Sequence, residues 1–469
     1  MGDVERGLSA IVLAAGEGKR LRSQRPKVLH EAAGLPLLVH VVRALEPLGV
    51  DPLFVVASKP TEAFSSALEA TTQSPASTRI VEQAPPAGTG DAVRVALENW
   101  GSPAGNVFVV AGDTPLIRTE TLRALLEKHR SLKATVTVLT ATVDDPTGYG
   151  RIVRSGDEVD RIVEDVDADD SERVINEVNA STYVFDAVRL SEIIGKLDRE
   201  NRQGEYYLTD VISLCRSQGD VVVAHRTGAA EVQGVNTRSH LAKVSRLLYD
   251  RTLERLLDEG VTIVDPASTF IDPSVRIEQE AVIHPFCFLH GNTVVRAGAE
   301  VGPQVRIFDS EIGPDAQVSF AVINGSVIGP EASVGPFASL RPGTRLDKGA
   351  RVGSFVETKN TTIGEESKAN HLAYLGDAEI GRGVNIGAGT ITCNWDGQEK
   401  HKTVIEDDAY ISSDTMLVAP TRIGKRAATG AGAVVKGDVP DDALAVGMPA
   451  RIIEGRGDKL GRKESNRES

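Results

Sequence analysis

An aliphatic residue recurs at every sixth position through much of the second half of the chain, and this period restricts the fold more than any other feature. A helical stripe repeats every 3.6 residues, so a period of six does not suit a helix. It suits a coil of short strands that turns a corner once per repeat, which is the signature of a parallel β-helix. The runs are Ile271, Ile277, Ile283, Leu289, Val295, Val301 and Ile307, then Ile328 to Val352, then Ile405 to Ile423.

Composition limits the classes of function. The 469 residues carry a formal net charge of −14, and a general binder of nucleic acids or anionic membranes needs a basic surface instead. The three cysteines, Cys215, Cys287 and Cys393, lack metal-binding spacing and favour a reduced, intracellular protein. The first apolar run, Ile11–Ala15, is too short for a signal peptide or a membrane span. We therefore expect a cytoplasmic protein without a membrane span or a nucleic-acid partner.

The first half of the chain alternates predicted strands and helices, beginning with a strand over Leu8–Leu13. This alternation is typical of βαβ units and a mainly parallel sheet, which binds ligands at the carboxyl ends of its strands. A long stretch follows in which Val244 and Leu248 fall on one helical face. The predicted parts are an α/β domain over 1–236, a linker helix over 237–262, a β-helix over 263–450 and a flexible tail over 451–469.

A glycine-containing loop, LAAGEGKR from Leu13 to Arg20, follows the first predicted strand, and Lys27 comes shortly after it. Glycines let the backbone approach a phosphate, whose charge the main-chain amides then bind. Arg20 and Lys27 add positive charge where a triphosphate would lie. A glycine pair after a strand is as often only a tight turn, so this motif alone leaves both interpretations open.

Further segments strengthen the nucleotide interpretation. LAAGEGKRLRSQRPKVL, QAPPAGTGDA from Gln83, AGDTPL from Ala111 and GVNT from Gly234 resemble the signature of the nucleotide-sugar pyrophosphorylases. Joined to hexapeptide repeats, they resemble the family of bifunctional bacterial enzymes that combine N-acetylglucosamine-1-phosphate uridyltransferase with glucosamine-1-phosphate acetyltransferase. The resemblance covers nearly the whole chain. It implies a Rossmann-like α/β nucleotidyltransferase domain, a linker helix and a left-handed parallel β-helix.

For the first half, the resemblance implies that a sugar 1-phosphate attacks the α-phosphorus of UTP and pyrophosphate leaves, with Mg²⁺ as cofactor. Asp113 and Asn236 match the Mg²⁺ ligands, although Asp113 alone would suggest only a solvated turn carboxylate. Lys27 and Arg20 match the groups that neutralise the triphosphate. Further nucleotide contacts are matched by Leu13, Ala14 and Gly16. The positions that recognise uracil are matched by Gln83, Gly88 and Thr89. The positions that hold the sugar are matched by Gly150, Glu164, Asn179 and Thr209.

The six-residue period is interrupted around Thr358–Ile363, His371–Leu375 and Cys393–Thr403, and interruptions of a solenoid often map to a binding face. A lone histidine is usually structural, but NHLAYLGD from Asn370 resembles the acetyltransferase signature of the same family. The resemblance implies that His371 is the general base, which takes a proton from the amine of glucosamine 1-phosphate as that amine attacks acetyl-CoA. Arg341, Lys359, Tyr374 and Asn385 match the glucosamine-phosphate contacts, with Glu357 as a candidate partner.

Acetyl-CoA contacts are matched by Ala388, Asn394, Trp395, Lys400, Ser413 and Ala431. The family usually carries tyrosine where Trp395 stands, and Met448 stands where the family has an arginine. The segment 394–402 is too polar for a solenoid wall and is predicted to reach toward a neighbouring chain. The resemblance implies a homotrimer in which each acetyltransferase site is shared between subunits.

Two other functions compete with this one. The chain could be a nucleotidyltransferase alone, with a β-helix that serves regulation or assembly, although such a solenoid has no need of the His371 segment. It could also be an inactive binding subunit, although such a subunit should have lost Arg20, Lys27 and Asp113, which are all present.

Overall fold

The computed structural model of the chain describes residues 7–16, 18–69 and 78–456. The chain divides into two compact units, and the division in sequence falls between Leu248 and Tyr249. This point lies inside a long helix, Arg238–Asp258, which occupies most of the stretch predicted as a linker. No helix of the described ranges is long and apolar enough to cross a membrane.

Strands and helices alternate along the first unit. The strands are β1 (Leu8–Leu13), β2 (Glu31–Ala32), β3 (Leu35–Pro36), β4 (Leu53–Ala57), β5 (Thr78–Glu82), β6 (Asn106–Ala111), β7 (Val136–Thr142), β8 (Arg151–Ser155), β9 (Glu158–Val163), β10 (Glu177–Asp186) and β11 (Val222–Thr227). The helices are α1 (Leu37–Leu45), α2 (Glu62–Glu69), α3 (Thr89–Trp100), α4 (Thr119–Ser131), α5 (Asp170–Arg173), α6 (Ala187–Ile193) and α7 (Asp210–Ser217), and α8 is the helix Arg238–Asp258.

The main sheet follows the order β11-β7-β10-β6-β1-β4-β5 and is mostly parallel, as predicted. Its central strands are apolar runs because both faces are covered: Ala10 and Val12 belong to one buried cluster, and Ile11 belongs to the other. Strand β1 is parallel to β4 and β6, and β4 is parallel to β5. The carboxyl ends of these strands therefore lie along one edge of the sheet.

The second unit is a solenoid of short parallel strands that fall on three faces, and each strand pairs with the strand one coil further along. The first face contains Thr262–Ile263, Val282–Ile283, Glu300–Val301, Gln317–Val318, Ser333–Val334, Arg351–Ser354, Lys368–His371, Asn385–Ile386, Tyr410–Ile411, Ala428–Thr429 and Leu444–Gly447. The second contains Phe270–Ile271, Phe288–His290, Arg306–Phe308, Ala321–Asn324, Ala338–Leu340, Glu357–Lys359, Tyr374–Gly376, Ile391–Cys393, Met416–Val418 and Val434–Lys436. The third contains Arg276–Ile277, Val294–Val295, Glu311–Ile312, Val327–Ile328, Arg345–Leu346, Thr362–Ile363, Ala378–Ile380, Thr403–Ile405 and Thr421–Ile423.

The aliphatic residues of the six-residue period point into the coil, where Ile271, Leu289 and Ile307 are fully buried. Equivalent residues of later coils form one continuous core with them. One inward residue per strand and one corner per repeat account for the period of six. The predicted parallel β-helix is therefore confirmed.

Two of the three predicted interruptions are not insertions. Thr358 and Leu375 pair with each other on adjacent strands of the second face, and the third face continues from Ile363 to Ile380. The period breaks because this coil is one residue shorter than the one before it and because Thr358 takes an inward position that elsewhere holds an aliphatic residue. Its buried hydroxyl lies 2.9 Å from that of Thr344, so the polar group is satisfied within the core.

The third interruption is a true insertion. Ile380 pairs with Ile405 on adjacent coils although the two are 25 positions apart. The extra residues form a small hairpin closed by a bridge between Trp395 and Lys400. Further along the chain, Ala450–Ile453 pairs antiparallel with Leu444–Gly447, so the first residues of the predicted flexible tail form a strand. Residues 457–469 of that tail lie outside the described residues.

Candidate active sites

Three of the predicted nucleotide motifs meet at the carboxyl edge of the sheet in the first unit. The N–H of Gly112 donates to the carbonyl oxygen of Leu13 at 2.9 Å, which joins the ends of β6 and β1. The N–H of Val235 donates to the carbonyl oxygen of Asp113 at 2.9 Å. The segment around Asn236, more than a hundred residues away in sequence, therefore lies beside the end of β6.

Asp113 and Asn236 converge on the ammonium group of Lys27. Lys27 Nζ donates to Asn236 Oδ1 at 2.9 Å and forms an ion pair with Asp113 Oδ2. The side chains of Lys27 and Asp113 are both largely buried. The sequence predicted that Lys27 binds the triphosphate, whereas here its ammonium neutralises the Asp113 carboxylate and donates a hydrogen bond to the Asn236 amide oxygen. A carboxylate and an amide oxygen that converge on one cation are a donor set that Mg²⁺ accepts, with water and phosphate in the remaining positions.

The loop after β1 approaches Lys27 closely. Gly18 has φ +61°, and a Cβ on this residue would lie 2.7 Å from Lys27 Cβ, so both the backbone conformation and the contact require glycine. The N–H of Ala14 donates to the carbonyl oxygen of Val56, which ties the start of the loop to β4. Gly16 and Arg20 are exposed, and Glu17 lies outside the described residues.

The residues predicted to contact uracil form one wall at the carboxyl edge of the sheet. They are Gln83, Gly88 and Thr89. Gln83 directly follows β5, and its Nε2 donates to the carbonyl oxygen of Gly88 at 3.0 Å and to Asp91 Oδ2 at 2.7 Å. Gly88 has φ +109°, and a Cβ there would lie 2.5 Å from the carbonyl oxygen of Tyr206. The hydroxyl of Thr89 accepts a hydrogen bond from the N–H of Leu208 at 3.0 Å. We call these three residues the base wall.

The four residues predicted to hold the sugar also lie together. Thr209 Oγ1 donates to Glu164 Oε1 at 3.1 Å, and the N–H of Asn179 donates to the carbonyl oxygen of Gly150 at 2.8 Å. A Cβ on Gly150 would lie 3.6 Å from both Asn179 Cβ and Glu164 Oε2. Burial raises the pKa of the Glu164 carboxyl, and the hydrogen bond from Thr209 opposes that shift. We call this group the sugar wall.

In the second unit, His371 begins a straight row of predicted acetyl-transfer residues. His371 is exposed and ends a first-face strand. The pairing of the first-face strands places Ala388, Ser413 and Ala431 at the same corner of the next coils. The backbone confirms the stacking, since the N–H of Asp414 donates to the carbonyl oxygen of Ala388. These four residues are called the histidine row.

A cationic cluster stands at the other edge of the second face. Arg341 and Lys359 occupy equivalent positions of adjacent coils, and Arg341 Nη1 lies 2.9 Å from Glu357 Oε1. Contact with Lys400 and the charge of Arg341 lower the pKa of the Lys359 ammonium. The sequence predicted Lys400 as a contact of CoA, whereas the structure groups it with Lys359. Three cations held together, with the Glu357 and Asp377 carboxylates as their partners, form a local site for an anion even on an acidic protein.

The inserted hairpin is anchored beside this cluster by Asp377. Asn394 Nδ2 donates to Asp377 Oδ2 at 2.5 Å, and Asn360 Nδ2 donates to Asp377 Oδ1 at 2.7 Å. Asn394 is buried, whereas Trp395 at the next position is exposed. The hydroxyl of Tyr374 also lies close to Asn394, since a Cβ on Gly376 would be within 2.8 Å of both side chains.

Two predicted residues stay apart from the cationic cluster. Asn385 lies on the first face, where it pairs with Lys368 and Tyr410. His371 belongs to the corner between the first and second faces, whereas Lys359 ends a strand of the second face. Within one chain, the predicted base and the predicted phosphate-binding cations therefore stand at opposite edges of the second face.

Comparisons with known proteins agree with both halves of this description. A family model described as a MobA-like NTP transferase domain matches residues 10–176. The bifunctional protein GlmU of Streptomyces coelicolor is 46% identical over 460 residues, which cover 96% of this chain and 94% of that protein. The protein of the same name from Heliobacterium modesticaldum is 45% identical, and the match covers 93% of this chain and 95% of that protein. The one from Thermobifida fusca is 48% identical, and the match covers 96% of this chain and 94% of that protein. The chain belongs to the bifunctional GlmU family. An NTP transferase domain followed by a left-handed parallel β-helix is therefore its fold class.

Within this GlmU framework, the structure adds residues that sequence reasoning missed. One is Tyr206, whose backbone exchanges hydrogen bonds with Ala87 and Gly90 beside the base wall. Through Tyr207 and Leu208 it leads to Thr209, the predicted sugar residue that bonds to Glu164. Asp377 and Asp91 were quoted only as parts of motifs. No periodic pattern in the sequence singles out these two residues, because their roles depend on hydrogen-bond partners in other segments, Asn394 for Asp377 and Gln83 for Asp91. The one feature of the sequence that could have indicated a role for Asp91 is its position in the first turn of a helix, shortly after a glycine.

Proposed function

We propose that the two clusters are the two active sites of one enzyme. The chain is a bifunctional enzyme of UDP-N-acetylglucosamine synthesis. It transfers an acetyl group from acetyl-CoA to glucosamine 1-phosphate and a uridylyl group from UTP to N-acetylglucosamine 1-phosphate, with release of pyrophosphate. The observation that supports the location of the uridylyl site is the convergence of Asp113, Asn236 and Lys27 between the base wall and the sugar wall.

In the uridylyl site, the chain's residues bind and orient the two substrates. Asp113 and Asn236 would hold Mg²⁺, which would supply charge neutralisation at the phosphates. The amides of the glycine loop and the side chains of Arg20 and Lys27 bind the triphosphate. The base wall holds uracil, and the Glu164 carboxylate accepts hydrogen bonds from sugar hydroxyls. The sugar phosphate then attacks the α-phosphorus in line, and pyrophosphate leaves.

In the acetyl site, His371 takes a proton from the amine of glucosamine 1-phosphate as the amine attacks the thioester carbonyl of acetyl-CoA. Arg341 and Lys359 hold the sugar phosphate, with Tyr374 and Asn394 beside them. Successive residues of the histidine row stand roughly 4.8 Å apart, the usual distance between paired strands. Such a row suits a long, extended ligand such as the arm of acetyl-CoA, which would follow Ala388, Ser413 and Ala431 away from the base.

A homotrimer completes this site. A row of bulky apolar residues follows the corner next to the histidine row: Phe286, Phe320, Phe337, Phe355 and Leu372, named here the corner row. Phe337 and Phe355 are 57% and 62% exposed, and their φ angles are +59° and +60°. Bulky side chains in the left-handed region cost energy, and exposing them stabilises nothing within one chain. The corner row ends at Leu372, beside His371, so a second copy packed on it also brings a cationic cluster toward the base.

Two substitutions test the assignment of the reactions to the sites. Asp113→Asn removes a carboxylate at the proposed Mg²⁺ site and should lower uridylyl transfer at least about a hundredfold, while acetyl transfer stays within twofold of the unmodified enzyme. His371→Ala should lower acetyl transfer by about 10²–10⁴-fold, the usual contribution of a general base, and leave uridylyl transfer intact.

Pyrophosphate release from UTP and thiol release from acetyl-CoA measure the two reactions separately in the full-length protein. Each variant serves as the control for the other. A His371→Ala protein that retains full acetyl transfer would exclude His371 as the base. Absence of thiol release from acetyl-CoA by the unmodified protein with glucosamine 1-phosphate would support a solenoid with a purely structural role. Absence of pyrophosphate release by the unmodified protein with Mg²⁺, UTP and N-acetylglucosamine 1-phosphate would support an inactive binding subunit.

A further inference from the structure

We infer that Asp91 determines base specificity by fixing the orientation of the Gln83 amide, so that the site accepts uracil and rejects cytosine. The inference rests on the proposed uridylyl function and extends it to a residue with no assigned role. It follows from the hydrogen bonds of one buried amide group.

The orientation of the amide is set by two acceptors. Gln83 Nε2 lies 2.7 Å from Asp91 Oδ2 and 3.0 Å from the carbonyl oxygen of Gly88. A carboxylate and a backbone carbonyl only accept hydrogen bonds, so only the NH₂ end of the amide can face both of them. The carbonyl oxygen Oε1 must then point away from this pair. Among the described residues, none donates a hydrogen bond to Oε1, which leaves that atom for a ligand.

Asp91 is itself held in place. Gln83 and Asp91 are only 2% and 5% exposed, so neither side chain can rearrange freely. Arg94 forms an ion pair with the other carboxylate oxygen, Asp91 Oδ1. Asp91 also lies in the first turn of α3, where the helix dipole favours a negative charge. The carboxylate is therefore a fixed acceptor, and through it the Gln83 oxygen is a fixed acceptor as well.

A fixed acceptor distinguishes the pyrimidines by their N3 position. Uracil carries a hydrogen at N3 and can donate it to Gln83 Oε1, whereas cytosine presents a lone pair there. To suit cytosine, the amide would have to rotate, and its oxygen would then face Asp91 Oδ2 and the carbonyl of Gly88. A buried polar group left without a partner, or facing another acceptor, is strongly unfavourable. Asp91 therefore prevents the rotation that would let the site accept CTP.

The test replaces Asp91 so that the amide is free to rotate. An asparagine side chain can donate as well as accept, so Asp91→Asn removes the shorter of the two contacts that hold the Gln83 amide and leaves only the Gly88 carbonyl to oppose its rotation. We expect the ratio of kcat/KM for UTP to kcat/KM for CTP to fall at least about tenfold, mainly through gain of activity with CTP. Pyrophosphate release with N-acetylglucosamine 1-phosphate and Mg²⁺ measures both values. Asp91→Glu keeps a group that only accepts and should retain most of the preference for UTP.

Glu98→Gln is the matched control, because Glu98 pairs with the same Arg94 but is exposed and does not touch Gln83. It should leave the UTP to CTP ratio unchanged. If Asp91→Asn does not fold, as judged by circular dichroism, Asp91→Ala removes the same acceptor and takes its place in the test. An unchanged ratio in the folded variant would overturn the inference. An unmodified enzyme that releases no pyrophosphate from either nucleotide would instead contradict the proposed function.

Discussion

Replacement of Phe337 by aspartate should convert the proposed trimer to monomers without unfolding the chain. Phe337 lies in the middle of the corner row, and its ring centroid is 5.5 Å from that of Phe320 and 5.6 Å from that of Phe355. The side chain is more than half exposed in the single chain. Its apolar surface is therefore available to a second copy rather than to the core of its own coil.

The size of the effect follows from the exposed area. A phenylalanine buries about 200 Å², so an exposed fraction of 57% leaves roughly 110 Å² for contact with a neighbour. At about 25 cal/mol per Å², full burial of this area contributes about 3 kcal/mol to each interface. That value corresponds to more than about a hundredfold in an association constant. A carboxylate in the same place also has to lose its hydration, so the loss should be larger still.

The monomer should tolerate the substitution because the backbone at this corner already suits aspartate. Phe337 has φ +59°, and Asp414, at the same corner of a later coil, has φ +55°. Aspartate adopts left-handed φ angles more readily than a bulky aromatic residue does. The folded monomer loses only ring contacts with Phe320 and Phe355, which are worth about 0.5–1.5 kcal/mol per pair.

Sedimentation velocity over a range of protein concentrations measures the outcome, with both enzymatic reactions assayed on the same samples. We expect Phe337→Asp to be monomeric at concentrations where the unmodified protein is trimeric, with acetyl transfer lost and uridylyl transfer kept. Val174→Asp is a charge-matched control, because Val174 is 80% exposed and belongs to the first unit. A Phe337→Asp protein with the same mass distribution as the unmodified protein would refute the argument.

Three further substitutions give separate checks. Burial raises the pKa of Glu164 above its value in the unfolded chain, so the ionised carboxylate destabilises the fold above that pKa. Glu164→Gln should therefore raise Tm at neutral pH. The difference should shrink as the pH falls below the raised pKa and vanish below the pKa of the unfolded chain, so an equal Tm difference at all pH values would contradict this. The same substitution should lower uridylyl kcat/KM about 10–100-fold. Gly88→Ala places a Cβ 2.5 Å from the carbonyl oxygen of Tyr206 and should raise KM for UTP at least about tenfold, whereas Gly101→Ala, with no atom within 4 Å of the new Cβ, should not. Lys359→Met should raise KM for glucosamine 1-phosphate about tenfold or more with little change in uridylyl transfer, and an unchanged KM would remove Lys359 from the phosphate site.

The fold was largely predictable because its signals are periodic and local. A buried aliphatic residue at every sixth position has one structural explanation, and Ile271, Leu289 and Ile307 do form the centre of the coil. The interruptions were harder to interpret, because a shortened coil and an insertion disturb the period in the same way. Strand pairing distinguishes them: Thr358 pairs with Leu375 across a shortened coil, whereas Ile380 pairs with Ile405 across an insertion.

The candidate sites were predictable as lists of residues but not as arrangements. Lys27 and Asn236 are 209 positions apart, and no local pattern shows that one ammonium group contacts both predicted metal ligands. The same holds for Gln83 and Asp91, where the chemistry lies in the orientation of an amide. Residue type indicates which group is present, whereas the direction of its donors and acceptors depends on partners that only the folded chain brings together.

The two units also differ in how complete their sites are within a single chain. In the first unit, the base wall, the sugar wall and the pair Asp113–Asn236 all lie at or beside one edge of a sheet, so one copy holds every group proposed for uridylyl transfer. In the second unit, a strand of three residues, Tyr374–Gly376, lies between the edge that carries His371 and the edge that carries Lys359. Three residues of strand span roughly 10 Å, too far for one small sugar phosphate to reach a base and a cation through direct hydrogen bonds. If the proposed sites are correct, acetyl transfer depends on assembly and uridylyl transfer does not, so dilution should abolish acetyl transfer before uridylyl transfer.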